Sequence, residues 1–209
     1  MANAGTLVVF GSGGHAKVVV EAVRACAPDR NIVLLDDRAE SAGRRIFGIA
    51  VSGGREQLDR LKGCPIALGI GDNQSRSDLM AWLAERGHAL ETVIHPRAFV
   101  AASVETGEGA FIGAGAIAIA DAKIGAGAIV NTGASVDHDC EIGTAAHIAP
   151  GVRLCSNVRI GDRTLIGVGS VVRPGVTICS DVVVGAGAAV VGDIVAAGTF
   201  VGNPARRLR

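Results

Sequence analysis

From residue 98 to residue 193 the chain is written in units of six. Cut at Ala98 it reads AFVAAS, VETGEG, AFIGAG, AIAIAD and so on to VVVGAG and AAVVGD, sixteen units without an insertion. The third position is Val, Ile or Leu in 14 of the 16, with Thr106 and Ala118 the exceptions, and the first is always Ala, Val, Cys, Thr or Ser. Positions one and three lie two apart, so in extended chain both point to the same side. Small residues, often glycine, follow position three, where the chain must bend. Six residues per flat side and three sides per coil make a triangular column. Its height is roughly 25 Å, about five coils at ~4.8 Å between stacked strands. Each coil buries an aliphatic ladder against the next, so stability approaches a sum over neighbouring coils.

The composition fits so thin a core: 30 glycines, five Phe, one Trp and no Tyr. Lys plus Arg number 20 and Asp plus Glu 20, a formal net charge of zero that argues against nucleic acid or an anionic membrane as partner. The five cysteines are odd in number and form no C-x-x-C pair, which speaks against a disulfide framework or structural zinc and for free thiols in a reducing compartment. With no basic leader ahead of "TLVVFG" and no apolar run near the length of a spanning helix, a cytoplasmic protein is expected.

Residues 6 to about 94 follow a different rule. "TLVVFG" (6–11) reads as a buried strand and "GHAKVVVEAVRACA" (14–27) as a helix. "NIVLLDD" (31–37) is a second strand, "GGREQLDRLKG" (53–63) a short helix, "PIALGIGD" (65–72) a strand, "SRSDLMAWLAERG" (75–87) an amphipathic helix, and "ALETVIHP" (89–96) closes the series. Strand–helix alternation implies a parallel sheet with right-handed crossovers. The expected organisation is an α/β Rossmann-like domain over residues 1–96 and an all-β parallel helix over 97–209.

Two regions carry candidate chemistry. The loop "GSGGHA" (11–16) follows a strand and opens a helix, whose first N–H groups favour an anion. Asp36 follows Ala16 by 20 residues. This fits a dinucleotide site, and equally a nucleotide-sugar site with the diphosphate at the helix N-terminus and a carboxylate at the ribose. The residues named for it are Gly13, Gly14, His15, Asp36 and Asp37, with Asp72, Asn73 and Arg76 of "GIGDNQSR" as weaker candidates on the same sheet edge. In the column, His138 stands between Asp137 and Asp139 at position five of its hexad, and His147 stands at position two of another. Neither position is inward, so the His138 ring is expected to face solvent or a neighbouring subunit, and the His147 ring also to point outward. A histidine titrating near neutrality suits the removal of a proton from an attacking amine. No metal site is expected, since a zinc lyase on such a column needs three histidines and residues 98–209 hold only these two.

The order "VFGSGGHAKVV", "LLDD", "IGDN", hexads containing "NTGASVDHDCEIG", and a terminal "VGNPARRLR" resembles the hexapeptide-repeat sugar O- and N-acetyltransferases of the sialic-acid and bacillosamine type. Within these it is most similar to the nucleotide-4-amino-sugar N-acetyltransferases. The resemblance implies a left-handed parallel β-helix and a homotrimer with active sites between neighbouring columns. It also implies acetyl-CoA as co-substrate and a nucleotide-linked amino sugar, such as a 4-amino-4,6-dideoxy sugar, as acceptor. By the same resemblance His138 is the general base with Asp139 in the acidic position beside it, and His147 lines the acetyl-CoA site. Asn131 meets the sugar, Val168 with Gly185, Ala186 and Gly187 borders the pantetheine arm, and Arg206 lies near the CoA nucleotide. A sugar O-acetyltransferase and a non-catalytic nucleotide-binding protein remain alternatives.

Overall fold

The computed structural model describes residues 5–208; residues 1–4 of the expected first domain and Arg209 of the tail lie outside the described residues. In the N-terminal half, β1 (Thr6–Phe10) lies between β2 (Asn31–Leu35) and a third strand, Ile66–Leu68, all parallel. Every residue of β1 is buried, as expected of a strand covered on both sides. Helix α1 (Gly14–Cys26) follows β1, and its Ala16, Val19, Val20 and Val23 are buried. Helix α2 (Asn73–Ala84) begins two residues earlier than its apolar pattern, because the Asp72 carboxylate caps it by accepting the Ser75 N–H at 2.8 Å. The segment 53–63 forms a 3-10 helix, Arg55–Leu61, and a small hairpin, Arg45–Ile46 with Ile49–Ala50, was not foreseen.

The hexads wind as expected. Each rung pairs in parallel with rungs 18 residues away: Ile117 stands beside Phe99 and Ser135, and Lys123 beside Glu105 and Glu141. Positions one and three fill the axis, with Ala116, Ala122, Ile124, Val136, Ile142 and Ile148 all buried. Two inward hydroxyls are satisfied by bonds between coils. Thr164 Oγ1 donates to the Cys179 carbonyl at 2.8 Å. Ser170 Oγ donates to the Gly185 carbonyl at 2.9 Å and accepts the Ala188 N–H at 3.2 Å. Ser170→Ala should cost about 1 kcal/mol, read as a lower urea midpoint, because it leaves the Ala188 N–H and the Gly185 carbonyl with only their long 3.4 Å bond to each other.

Two expectations are corrected. The bend is at position six, not directly after position three. Fourteen of the sixteen sixth positions have φ near +60°, including Asp121, Asp139, Ala145, Asn157, Arg163 and Asp181. Asp and Asn tolerate that region better than other side chains. Glycine at position four has another cause: a Cβ on Gly143 would lie 2.6 Å from the backbone nitrogen of Asp162 on the next coil. Second, "ALETVIHP" does not simply close the α/β sheet. Leu90 bridges Ile66, but Val93–Ile94 pairs with Phe111–Ile112 as the first rung of the column.

The three sides of the column differ. One carries the position-two residues Phe111, Ile129 and His147 and is covered by the N-terminal half, Phe111 and Ile129 being buried in the cluster that holds Val9, Val19 and Ala67. A second is open and partly apolar, with Phe99, Ile117 and Val171 exposed. The third presents Glu105, Lys123, Glu141 and Arg159 in alternation. Among the described residues no helix is long and apolar enough to cross a membrane.

Candidate active site

The covered side holds a buried polar hub that ties the two halves together. The Arg76 side chain is 0% exposed. Its Nε donates to the Gly127 carbonyl at 2.7 Å, one terminal nitrogen donates to Ile70 and Gly71 at 3.1 and 3.0 Å, and the other donates to Asn73 Oδ1 at 2.8 Å and to Ala145 at 2.7 Å. Burial pulls its pKa down to about 10, against an opposing pull from Asp72, so it stays charged at neutral pH. Asn73 also donates to the Arg163 carbonyl at 2.8 Å. Arg76 and Asn73, weaker candidates for the nucleotide, thus face the column, whereas Asp72 caps α2 and also lines the glycine-loop cavity.

His147 and His15 adjoin this hub. His147 points away from the column axis, as expected, but lies under the N-terminal half rather than at a free surface. Its Nε2 is 3.1 Å from Asn131 Nδ2. Burial and the Arg76 charge lower its pKa to about 4, against a backbone bond at Gly71. The His15 ring centroid is 5.0 Å from Phe111, edge to face, and 6.4 Å from His147. Burial, then His147 and Arg76, lower the His15 pKa to about 3. His15 Nε2 is buried without a hydrogen-bond partner, an open position at the end of the glycine loop.

The glycine loop forms the floor of a cavity of about 600 Å³, and all five residues named for the nucleotide line it. The N-terminus of α1 carries no side-chain cap, so its amides are available to an anion. Asp36, expected at a ribose, is engaged internally. Its Oδ2 accepts from the Ser12 N–H at 2.7 Å, Ser12 Oγ at 2.6 Å and Arg38 at 2.9 Å. Burial alone would raise the Asp36 pKa, but the bonds from Arg38 and Ser12 outweigh it and hold the carboxyl well below its ordinary value. Asp36 braces the loop. Asp37 pairs with Arg55, whose guanidinium lies 4.7 Å from the centre of the Trp82 ring. Ser12, Arg38, Arg55 and Trp82 also line this cavity and were missed; Ser12 lies within the glycine loop itself, whereas no local motif marks the other three.

His138 stands elsewhere. It sits on the edge between the open and the charged sides, not on the covered side, and it does not line the glycine-loop cavity. His138 Nδ1 is 2.7 Å from Asp139 Oδ2, with the two side chains 49% and 52% exposed. The hydrogen bond to Asp139 raises the imidazole pKa above its ordinary value. With Nδ1 held by the carboxylate, Nε2 is free to accept a proton. The left-handed turn at Asp139, φ 58°, places the carboxylate beside the ring of the preceding residue. Asn131, Val168 and Gly185–Gly187 fall on the edge between the covered and open sides, where the Gly187 N–H donates to the Val168 carbonyl at 2.8 Å. Arg206 lies in a short terminal strand paired with Phe200–Val201. In one chain Asn131 and His147 thus adjoin His15 at the glycine-loop cavity, whereas His138 with Asp139 stands on a different edge of the column.

Residues 6–83 match the PglD N-terminal domain, and residues 157–191 match the hexapeptide repeat of succinyl-transferase. Among curated proteins none matches. A perosamine N-acetyltransferase variant from Caulobacter crescentus, solved with CoA and GDP-perosamine, is 40% identical over 98% of this chain and 97% of its own, at a TM-score of 0.92. This chain belongs to the hexapeptide-repeat sugar N-acetyltransferase family. The acetyltransferase domain of PglB from Neisseria gonorrhoeae, solved with acetyl coenzyme A, is 39% identical over 98% of this chain and 99% of its own, at a TM-score of 0.92. WeeI from Acinetobacter baumannii is 28% identical over 97% and 99%, at 0.88.

The two half-buried imidazoles, His15 and His147, give this member of the acetyltransferase family a defined acid sensitivity. Their folded-state pKa values lie below the ordinary 6.5, so as pH falls the unfolded chain takes up protons first. The stability held above pH 6.5 is then lost as pH falls towards about 4 for His147 and about 3 for His15. Lowering pH from 7 to 4 should cost on the order of 3 kcal/mol through His147, at about 1.4 kcal/mol per pH unit. A His147→Gln variant should show a visibly shallower fall in melting temperature over that range.

Proposed function

We propose that this chain transfers the acetyl group of acetyl-CoA to the amine of a nucleotide-linked amino sugar, for which a 4-amino-4,6-dideoxy sugar is the candidate acceptor. The observation that carries the reading is the pairing of His138 with Asp139, in a chain 40% identical to an enzyme solved with CoA and GDP-perosamine. His138 Nε2 takes the proton that the sugar amine loses as its nitrogen attacks the thioester carbonyl. The C–S bond then breaks, and the proton passes on to the leaving thiolate. Asp139 fixes the tautomer with Nδ1–H towards itself. Gly13 and Gly14, at the N-terminus of α1, hold the diphosphate. His15 offers its unpartnered nitrogen at the sugar end, and Asp37 bounds the nucleoside. Asn131 meets the sugar, while His147, Val168, Gly185, Ala186, Gly187 and Arg206 border the CoA.

The site is completed between copies. The substrate cavity opens beside the covered side and His138 lies on another edge, so one chain alone does not bring them together. A homotrimer in which the open apolar side of one column meets its neighbour supplies the missing proximity. The cytoplasm, which provides acetyl-CoA and keeps five free thiols reduced, is the matching compartment. Thiol release from acetyl-CoA tests the reaction. An amino-sugar nucleotide should support turnover, while its hydroxyl analogue should not. Turnover with the hydroxyl analogue alone would favour O-acetylation, and no turnover with either would remove the enzyme reading.

A further inference from the structure

The glycine-loop cavity has two chemically different ends. At one, His15 packs against Phe111 of the column. At the other, Asp37, Arg55 and Trp82 form a wall. If the nucleotide-sugar reading above holds, the sugar must point towards the column, where the acetyl group arrives. The diphosphate then crosses the N-terminus of α1, and the nucleobase falls at the far wall.

That wall is built in advance. Two nitrogens of Arg55 donate to Asp37 Oδ2 at 2.8 and 2.5 Å, and the Arg55 N–H donates to Asp37 Oδ1 at 2.9 Å. The clamped guanidinium lies over Trp82 at 4.7 Å, and Arg86 lies 4.1 Å from the same ring, lining the neighbouring cavity rather than this one. Arg38, which also lines the nucleotide cavity, is held by Asp36. The wall thus offers a planar stack, two guanidinium groups that donate, and in Asp37 a carboxylate that accepts, which suits the N1–H and exocyclic amine of guanine. A purine covers such a stack more fully than a pyrimidine. Guanine presents two acceptors, O6 and N7, on one edge, whereas adenine presents one acceptor and one donor there.

We propose that the Arg55–Trp82 stack is the nucleobase platform of this enzyme and that it selects guanine, so that the substrate is a guanosine-diphosphate sugar. Trp82 is the single tryptophan of the chain, which makes it a direct reporter. Titrating the full-length protein with GDP should change Trp82 fluorescence saturably, while a sugar 1-phosphate, which has no base, should not. Calorimetry should rank GDP about tenfold or more above ADP and UDP, and Trp82→Ala should weaken GDP by about tenfold while Trp82→Phe retains most of the affinity. The proposal is overturned if GDP binds without altering Trp82 emission, if UDP or ADP binds as tightly as GDP, or if a folded Trp82→Ala variant binds GDP like the wild type. Were Trp82→Ala not to fold, the fluorescence and the nucleotide ranking in the unmodified protein would still decide. Tight binding without base preference overturns this assignment alone, whereas failure of every nucleotide to bind overturns the nucleotide-sugar reading with it.

Discussion

Replacing His138 by alanine should lower kcat by about 10²–10⁴-fold, the usual contribution of a positioned general base. In transition-state terms this is roughly 3–5 kcal/mol. KM for both substrates should change much less, because the side chain lies outside the glycine-loop cavity. Stability should hardly move, since the ring is half-exposed and its one side-chain partner is Asp139. The pH profile supplies a second readout. The Asp139 hydrogen bond raises the His138 pKa, so the neutral, proton-accepting form is populated only above that raised value, and kcat/KM should climb with pH through it. Asp139→Asn removes the carboxylate and should shift this acid limb to lower pH. A limb that stays in place in Asp139→Asn would mean that another group titrates.

Arg76→Ala should be the most damaging change to the fold. It removes the donors to five backbone carbonyls, at Ile70, Gly71, Gly127, Ala145 and Ala146, and to the Asn73 side chain, all around a fully buried position. Breaking a buried charged network in this way costs about 3–5 kcal/mol. Lysine should not rescue it, because three donors on one nitrogen cannot span acceptors on the Ile70–Asn73 segment and on two coils of the column. Urea unfolding followed by Trp82 emission measures the loss. Because Ile70 and Gly71 also line the nucleotide cavity, nucleotide affinity should fall in step.

The column was legible because its order is local and periodic: a six-residue rule read along the chain fixed rung, axis and register with no long-range information. The His138–Asp139 pair was legible for the same reason, being adjacent in sequence. The destination of Arg76 was not. Its acceptors at Gly127 and Ala145 lie 51 and 69 residues away, and an arginine on an amphipathic helix gives no local sign of being buried. The internal bracing by Asp36 of Ser12, 24 residues earlier, was hidden in the same way, since a carboxylate at a strand end looks alike whether it holds a ligand or a loop. The burial of His147 had a signal that went unread. Taking position two every 18 residues gives Phe111, Ile129, His147 and Leu165 on one side and Glu105, Lys123, Glu141 and Arg159 on another. The apolar series marks the side that another part of the chain covers.

The proposed catalysis joins His138 of one column to a sugar held by another chain. Active-enzyme sedimentation tests it most directly, with acetyl-CoA and an amino-sugar nucleotide in the overlay. The predicted result is that all turnover travels with a species three chains in mass and disappears on dilution into single chains. Lone chains that release thiol at the full rate would contradict it.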